Sequence, residues 1–218
     1  MAQQLDIFDI SDELPGAVAA GYGLDPAIEL RDASLQHLGA CVPMQRRGPL
    51  FDALMDSTPW THDDIVMFGK KMKVPRLSSW HGDAGTSYMY SNIQLQPQVW
   101  TPPMLEIKSL VESVAGTQFN SVLVNLYRSG TDSVAWHADD EPELGPEPVI
   151  ASVSLGATRT FKMKHQTDTT LRYSFELADG SVLIMRGSTQ RCWMHAVPKT
   201  SKAVGPRINL TFRAIVAS

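Results

Sequence analysis

The chain has 218 residues and a formal net charge of −4, and 43% of its residues are hydrophobic and 19% charged. This length and composition fit one ordinary globular unit with a well-buried core. No apolar run approaches the roughly 18 residues that a bilayer requires, so we expect no membrane partner. The negative charge argues against a protein that coats nucleic acid without specificity, although it does not exclude a local basic patch.

The cysteines and the first residues bear on where the protein works. Cys41 and Cys192 lie far apart and lack the spacing of a thiolate zinc site. Nothing in the sequence suggests an oxidising compartment, and the first residues show no basic and apolar segments of a secretory leader. We therefore expect a cytoplasmic protein, and we expect it to be a monomer.

The first part of the chain, residues 1–60, is rich in Asp, Pro, Gly and Ala. It predicts an N-terminal extension of helical and irregular segments, with short helices around Leu35 and Leu38 and around residues 50–55. The main domain is predicted over residues 61–218.

A basic segment follows, in which four cations occur within seven residues: Lys70, Lys71, Lys73 and Arg76. Such a cluster suits contacts to phosphate groups. The alternative is a loop whose charges are simply solvated, and the segment alone does not decide between the two.

The clearest helix begins after Thr101, a residue type favoured at the N-cap, with two prolines in the first turn where they are tolerated. Apolar residues then recur at helical spacing as far as Val114, and Gly116 stands at the expected end.

From residue 119 onward the apolar period changes to two, which predicts strands separated by turn residues. The predicted strands are residues 119–127, 149–155, 159–164, 171–177, 181–185 and 207–216. Many short strands with long returns favour an antiparallel jelly roll of two sheets, the double-stranded β-helix shared with cupins. We therefore predict a mainly β fold with flanking helices.

Within this region lies the pattern His137-Ala138-Asp139, followed later by His195. Residues i and i+2 of a strand face the same side, so His137 and Asp139 converge from one strand end. Two imidazoles and one carboxylate form the facial triad of non-haem Fe(II) oxygenases. Because a short His-x-Asp pattern arises often by chance, its alternative is a satisfied surface pair.

Other polar residues share one parity on nearby strands. Arg207, Asn209 and Arg213 would face one side of the last strand, and Asn125 and Tyr127 share a face on an earlier strand. Buried arginines are rarely left unpaired, and their planar forks suit a dicarboxylate. The alternative is that they form salt bridges with Asp or Glu at the edge of the core.

Together these patterns resemble the AlkB family of Fe(II)/2-oxoglutarate-dependent nucleic-acid dealkylases. The resemblance covers residues 74–217 and is closest to the branch of eukaryotic DNA-repair members. It rests on these stretches: Pro75-Arg76, Gly82-Asp83-Ala84-Gly85, residues 119–127, His137-Ala138-Asp139-Asp140-Glu141-Pro142, residues 150–157 and residues 206–213.

The resemblance implies a role for each matching residue. His137, Asp139 and His195 would bind Fe(II). Residues Asn125, Tyr127, Arg207, Asn209 and Arg213 would bind 2-oxoglutarate, with Arg207 and Tyr127 at its distal carboxylate. A nucleotide-recognition lid is expected over about residues 70–95 of the dioxygenase domain. The expected substrate contacts are Trp80, Tyr88, Tyr90, Asp140, Glu141 and Arg76, with phosphate contacts from Lys70, Lys71 and Lys73.

The family chemistry implies oxidative demethylation of 1-methyladenine or 3-methylcytosine in single- or double-stranded DNA. With iron bound, one oxygen atom of dioxygen would hydroxylate the N-methyl group, which leaves as formaldehyde, and the other would enter the cosubstrate, which becomes succinate and carbon dioxide. The target base must be flipped out of a duplex or already unpaired. Alternative substrates are methylated RNA, a protein side chain or a small molecule, and a non-catalytic cupin-like binding module is a further alternative.

Overall fold

Two β-sheets and the helices packed on one of them make up most of the computed structural model. It describes residues 28–67, 70–86, 88–90, 93–95 and 97–216. For residues 29, 65–67, 70–71, 88–90 and 93–95 only the backbone is described.

The larger sheet has seven antiparallel strands, and in spatial order they are β1-β2-β13-β10-β15-β8-β5. Its strands are β1 Ile28–Leu30, β2 Ala33–Leu38, β5 Leu77–Gly82, β8 Ser121–Tyr127, β10 Ile150–Gly156, β13 Val182–Arg186 and β15 Arg207–Arg213. The interior strand β15 lies between β10 and β8, so it is paired on both sides.

The smaller sheet has four strands in the order β12-β11-β14-β9. They are β9 Val134–His137, β11 Arg159–His165, β12 Arg172–Leu177 and β14 Trp193–Val197. Two separate hairpins are formed by β3 Asp64–Met67 with β4 Lys70–Lys73 and by β6 Tyr88–Tyr90 with β7 Ile93–Leu95. The helices are α1 Met44–Ser57, α2 Pro102–Ala115 and α3 Thr189–Cys192, with a 3-10 turn at Pro142–Leu144.

The apolar core has two layers, one on each face of the larger sheet. On the outer face, Val122, Val124 and Leu126 of β8 pack with Leu50 of α1 and Ile107 of α2. On the inner face, Tyr127 packs with Phe161 and Val197 of the smaller sheet. The alternation along β8 therefore places one set of side chains against the helices and the other between the sheets. This arrangement confirms the predicted double-stranded β-helix with flanking helices.

Most elements agree with the sequence predictions. The helix after Thr101 ends at Gly116, whose φ of +63° gives the left-handed conformation common after helices. The predicted helix around residues 50–55 lies within α1. All six predicted strands are present with small shifts at their ends. None of the helices in the described ranges is long and apolar enough to cross a membrane.

The short helix predicted around Leu35 and Leu38 is wrong. Both residues lie in β2, where Leu35 pairs with Met185 and Leu38 with Val182 of β13. Their three-residue spacing resembles a helix, but pairing with a distant strand decides the structure here. The described part of the predicted N-terminal extension thus contributes β2 and α1 to the same sheet and core.

Gly156 at the end of β10 provides a test of this packing. Its φ is +86°, and an added Cβ would lie 2.6 Å from the carbonyl oxygen of Pro206 and 2.8 Å from the ring of Phe51. Gly156→Ala should therefore lower the free energy of unfolding by about 3 kcal/mol, from backbone strain plus steric conflict. Urea unfolding followed by circular dichroism measures the change.

Gly116→Ala is the matched control, since Gly116 also has a positive φ but nothing lies within 4 Å of its added Cβ. It should cost only about 1 kcal/mol. Equal losses in the two variants would contradict the packing at Gly156.

Candidate metal and cosubstrate site

The predicted metal ligands meet between the two sheets. His137 is the last residue of β9 and pairs directly with His195 of β14, while Asp139 follows two residues later. Their candidate ligand atoms all lie within 4.8 Å of one another, and Nε2 of His195 is 4.0 Å from Oδ2 of Asp139. Asp139 and His195 are buried. The structure therefore brings the three residues together with the donor set of a facial triad.

The protonation states of the triad suit a metal. Burial, together with a smaller effect of the neighbouring His137, lowers the pKa of His195 to about 3, so the imidazole is neutral at pH 7. Burial acts to raise the pKa of Asp139, but Arg213 and the two histidines outweigh it and hold this pKa below its ordinary value. A metal therefore meets a neutral imidazole and an ionised carboxylate.

The tautomer of His137 is also fixed. Its Nδ1 lies 2.8 Å from the carbonyl oxygen of Ala135, which can only accept a hydrogen bond. The proton of the neutral ring therefore lies on Nδ1, and the Nε2 lone pair is left for a ligand bond. Such an outer hydrogen bond orients histidine ligands in metal sites.

The predicted cosubstrate residues line the same pocket as the triad. In the register of β8 with β15, Arg207 pairs with Tyr127 and Asn209 with Asn125. Directly paired residues face the same side of a sheet, so these four side chains point between the sheets. Arg213 closes the group, since its Nη2 lies 2.5 Å from Oδ1 of Asp139.

Arg207 is a buried cation without a carboxylate partner among the described residues. It is 1% exposed, and its Nε and Nη1 have no hydrogen-bond partner in that part of the chain, while Nη2 donates to Ser154. Burial lowers the pKa of Arg207 and, with a smaller effect of Arg159, outweighs the neighbouring Tyr127, which acts to raise it. An anion entering the pocket would therefore find an unsatisfied guanidinium.

Arg159 and Arg213 behave differently from Arg207. Arg159 is also buried beside Tyr127, but it donates to the carbonyl oxygens of Ser129, Asp132 and Pro198. Arg213 forms a salt bridge with the carboxylate of Asp139. For this arginine the sequence-based alternative, a salt bridge with an acidic residue, is therefore correct. Among the described residues, Arg207 is therefore the fully buried arginine of the pocket that has neither a carboxylate nor a carbonyl partner.

Two serines that sequence reasoning missed hold this group in place. The hydroxyl of Ser154 accepts from Arg207 at 2.9 Å, and that of Ser152 accepts from Asn209 at 2.8 Å. The available signal was their position: two polar residues at alternate places in the apolar strand 150–156. They share the inward face with Asn209, which pairs with Ser154 across the ladder.

The predicted substrate contacts differ in where they lie relative to this pocket. Arg76 lines the pocket, and its Nε donates to Oδ1 of Asn125 at 2.8 Å, so it reaches the cosubstrate residues. Trp80 is half-buried on the edge strand β5, opposite Leu123, which also lines the pocket. Asp140 is exposed and Glu141 is half-buried beside the metal ligand Asp139.

The predicted phosphate contacts and lid aromatics are only partly described. Lys73 is exposed and forms an ion pair with Asp64 at 3.0 Å. The side chains of Lys70 and Lys71 on β4, and of Tyr88 and Tyr90 on β6, lie outside the described residues. Their assignments stay predictions.

A second group with potential ligand atoms consists of Asp32, His165 and Cys192. Here Nδ1 of His165 accepts backbone N–H groups from Thr167 and Asp168 at 3.3 and 3.1 Å. The proton of the neutral ring therefore lies on Nε2, the atom that faces Asp32, which disfavours a metal bond there. The buried His165 instead fixes the turn after β11.

The depressed pKa of His195 predicts a pH dependence of folding. An unfolded histidine has a pKa near 6.5, so between about pH 6.5 and about pH 3 the unfolded chain takes up a proton that the folded chain does not. The contribution of His195 to the free energy of unfolding is thus fully present above about pH 6.5 and is lost as the pH falls below that value. Urea unfolding of the metal-free protein should show a loss of about 2 kcal/mol from this residue between pH 7 and pH 5.

His195→Gln removes the titrating group and should reduce the pH dependence of the free energy of unfolding by this amount. The same slope in wild type and variant would contradict the assignment.

Comparisons with known proteins agree with this geometry. The family model described as the 2OG-Fe(II) oxygenase superfamily matches residues 34–213. Alpha-ketoglutarate-dependent dioxygenase alkB homolog 3 from Bos taurus is 41% identical over 183 residues, which cover 80% of this chain and 63% of that protein. DNA oxidative demethylase ALKBH2 from Arabidopsis thaliana is 38% identical over 210 residues, covering 84% and 67%.

The chain spans 63% of the bovine relative and 60% of the human alkB homolog 3. A solved structure described as that of OsALKBH1 superposes with a TM-score of 0.65 at 17% identity, covering 87% of this chain and all of that one, and so supports the fold. The matched range includes the triad and every predicted cosubstrate residue. The chain therefore belongs to the AlkB family within the 2OG-Fe(II) oxygenase superfamily, whose cofactor and cosubstrates are Fe(II), 2-oxoglutarate and dioxygen.

Proposed function

We propose that this protein repairs alkylated DNA by oxidative demethylation of 1-methyladenine and 3-methylcytosine. The observation that carries the proposal is one pocket holding both the His137, Asp139 and His195 group and the open guanidinium of Arg207. The choice of DNA is supported by relatives whose names state DNA oxidative demethylation.

In this proposal His137, Asp139 and His195 hold Fe(II). The bound metal, with 2-oxoglutarate and dioxygen, supplies the hydroxylation of the N-methyl group, and the protein supplies placement and exclusion of side reactions. Arg213 keeps the carboxylate of Asp139 ionised and fixed through its 2.5 Å contact. Nδ1 of His137 donates its proton to the hydrogen bond with the carbonyl oxygen of Ala135, so Nε2 is the atom that would bind the metal.

Arg207 and Tyr127 would bind the distal carboxylate of 2-oxoglutarate. Nε and Nη1 of Arg207 have no hydrogen-bond partner among the described residues and are available to donate to a carboxylate oxygen, while Nη2 donates to Ser154. Asn125, Asn209 and Arg213 would lie beside the chelating end. The Arg76 bond to Asn125 links this end to the predicted substrate side.

The target base must leave its stack to reach a pocket between two sheets. Trp80 lies on the inward face of the edge strand β5, which suits one wall for the base. Glu141 would accept from the exocyclic amine of the base, and the neighbouring Asp140 would support that region. Lys70, Lys71 and Lys73 remain the proposed phosphate contacts.

The proposal is tested with a lesion panel. Formaldehyde release is measured from 1-methyladenine and 3-methylcytosine in single-stranded DNA, duplex DNA and RNA, with Fe(II) and 2-oxoglutarate present. We expect formaldehyde release from the DNA substrates, because Asp139, His137 and His195 would supply the ligands of the iron site. Asp139→Ala should abolish turnover because the anionic ligand is lost.

Asp52→Ala, on the exposed face of α1, is the control and should keep full activity. Release from RNA alone would replace DNA as the substrate. Release from none of the oligonucleotides, with succinate formed on an amino acid or peptide panel instead, would overturn the nucleic-acid proposal.

The role of Arg207 gives a prediction with two opposite effects. Arg207→Met replaces a buried unpaired cation by an apolar side chain of similar length, so the metal-free protein should be as stable as wild type or more stable. The same variant should lose the rise in melting temperature that 2-oxoglutarate and Co²⁺ together give the wild type. Thermal unfolding with and without cosubstrate measures both effects.

Arg159→Met is the matched comparison, because this buried arginine satisfies three carbonyl oxygens. It should destabilise the fold but leave the cosubstrate-dependent rise in place. If Arg207→Met still responds to 2-oxoglutarate, the assignment of the distal carboxylate is wrong.

A further inference from the structure

The metal-ligand carboxylate sits just beyond the end of a strand. β9 ends at His137, so Asp139 lies outside the ladder and its backbone N–H has no strand partner. That N–H donates instead to Oε1 of Gln190 at 3.0 Å, in a fully buried contact between residues far apart in sequence. Gln190 itself is 1% exposed.

Gln190 is held from its other end as well. Its Nε2 donates to Sδ of Met185 at 3.4 Å, and Met185 lines the pocket. Because both ends of the amide are engaged, its orientation is fixed: the oxygen faces Asp139 and the nitrogen faces the sulfur.

The short helix that carries Gln190 is anchored to the larger sheet. The hydroxyl of Thr189 accepts from the backbone N–H of Ser34 on β2 at 3.0 Å and donates to the carbonyl oxygen of Arg186 on β13 at 2.5 Å. A contact series therefore runs from β2 through Thr189 and Gln190 to the backbone of Asp139. The larger sheet thus sets the position of a residue that lies at the edge of the smaller one.

We propose that Gln190 is a positioning residue for the iron site: it fixes the main chain at Asp139 so that the carboxylate faces His137 and His195. The inference rests on the proposed metal ligands but not on the proposed DNA substrate. Without the amide oxygen, the buried N–H of Asp139 would be unsatisfied, and the segment after β9 would shift towards another acceptor. A shift of the ligand segment lowers metal affinity by about 10- to 100-fold, as loss of outer hydrogen bonds does in other metal sites.

The test compares Gln190→Met with wild type. Methionine keeps the length and fills the buried space but offers no amide oxygen. Affinity for Co²⁺, an oxygen-stable probe for Fe(II), is measured by calorimetry on the metal-free protein. The expected result is about 10- to 100-fold weaker binding of Co²⁺. The melting temperature of the metal-free protein should change only slightly.

Gln190→Asn provides a second variant in case the first does not fold. It keeps an amide but withdraws the oxygen by one methylene, so it should also weaken Co²⁺ binding. Gln166→Met is the control, since the exposed Gln166 donates to the carbonyl oxygen of Arg191 in the same short helix but does not contact Asp139. This control should bind Co²⁺ like wild type.

The outcomes separate the inference from the iron site itself. If wild type does not bind Co²⁺, the proposed ligand set fails. If wild type binds and either Gln190 variant binds equally well, the positioning role is overturned. Equal losses in Gln166→Met and Gln190→Met would overturn it too, because the effect would then be general destabilisation.

Discussion

The site depends on one constraint, the register of β15 between β8 and β10. Residues that pair directly across a sheet face the same side, so this register alone places Arg207 beside Tyr127 and Asn209 beside both Asn125 and Ser154. A slip of one residue would turn the arginines towards the helices and bring Ile208 and Leu210 into the pocket. The apolar residues that pack on α1 and α2 therefore protect the geometry of the polar face.

Much of the site could be predicted because it follows from local periodicity. The parity of residues 207–213, the His-x-Asp spacing and the helix after Thr101 each follow from neighbours in sequence, and the structure agrees with them. The β2 strand could not be predicted in this way, since its pairing with β13 joins residues far apart in the chain. The contacts of Ser152 and Ser154 with β15, and of Arg76 with Asn125, could not be predicted either, because they also join residues far apart in the chain.

Among the described residues, one fully buried arginine of the pocket has neither a carboxylate nor a carbonyl partner. Asp139 is matched by Arg213, and Arg159 is satisfied by carbonyl oxygens, which leaves Arg207. Burying this guanidinium lowers the stability of the fold. The β15 register holds Arg207 in the pocket, and its hydrogen bond to Ser154 offsets part of the loss. A pocket of this kind favours an anion over water, and it selects a dicarboxylate when the second carboxylate can reach the metal end.

The attachment of α3 to β2 has a consequence for where the protein can be shortened. A chain beginning near residue 61 would retain every predicted ligand, yet it would lack the strand on which Thr189 rests. A chain shortened to the ligand-bearing segment would thus lack the outer support of the helix that contacts Asp139, although it would keep all three proposed metal ligands. A shortened chain that keeps this support must therefore include β2 as well as the segment that carries the proposed ligands.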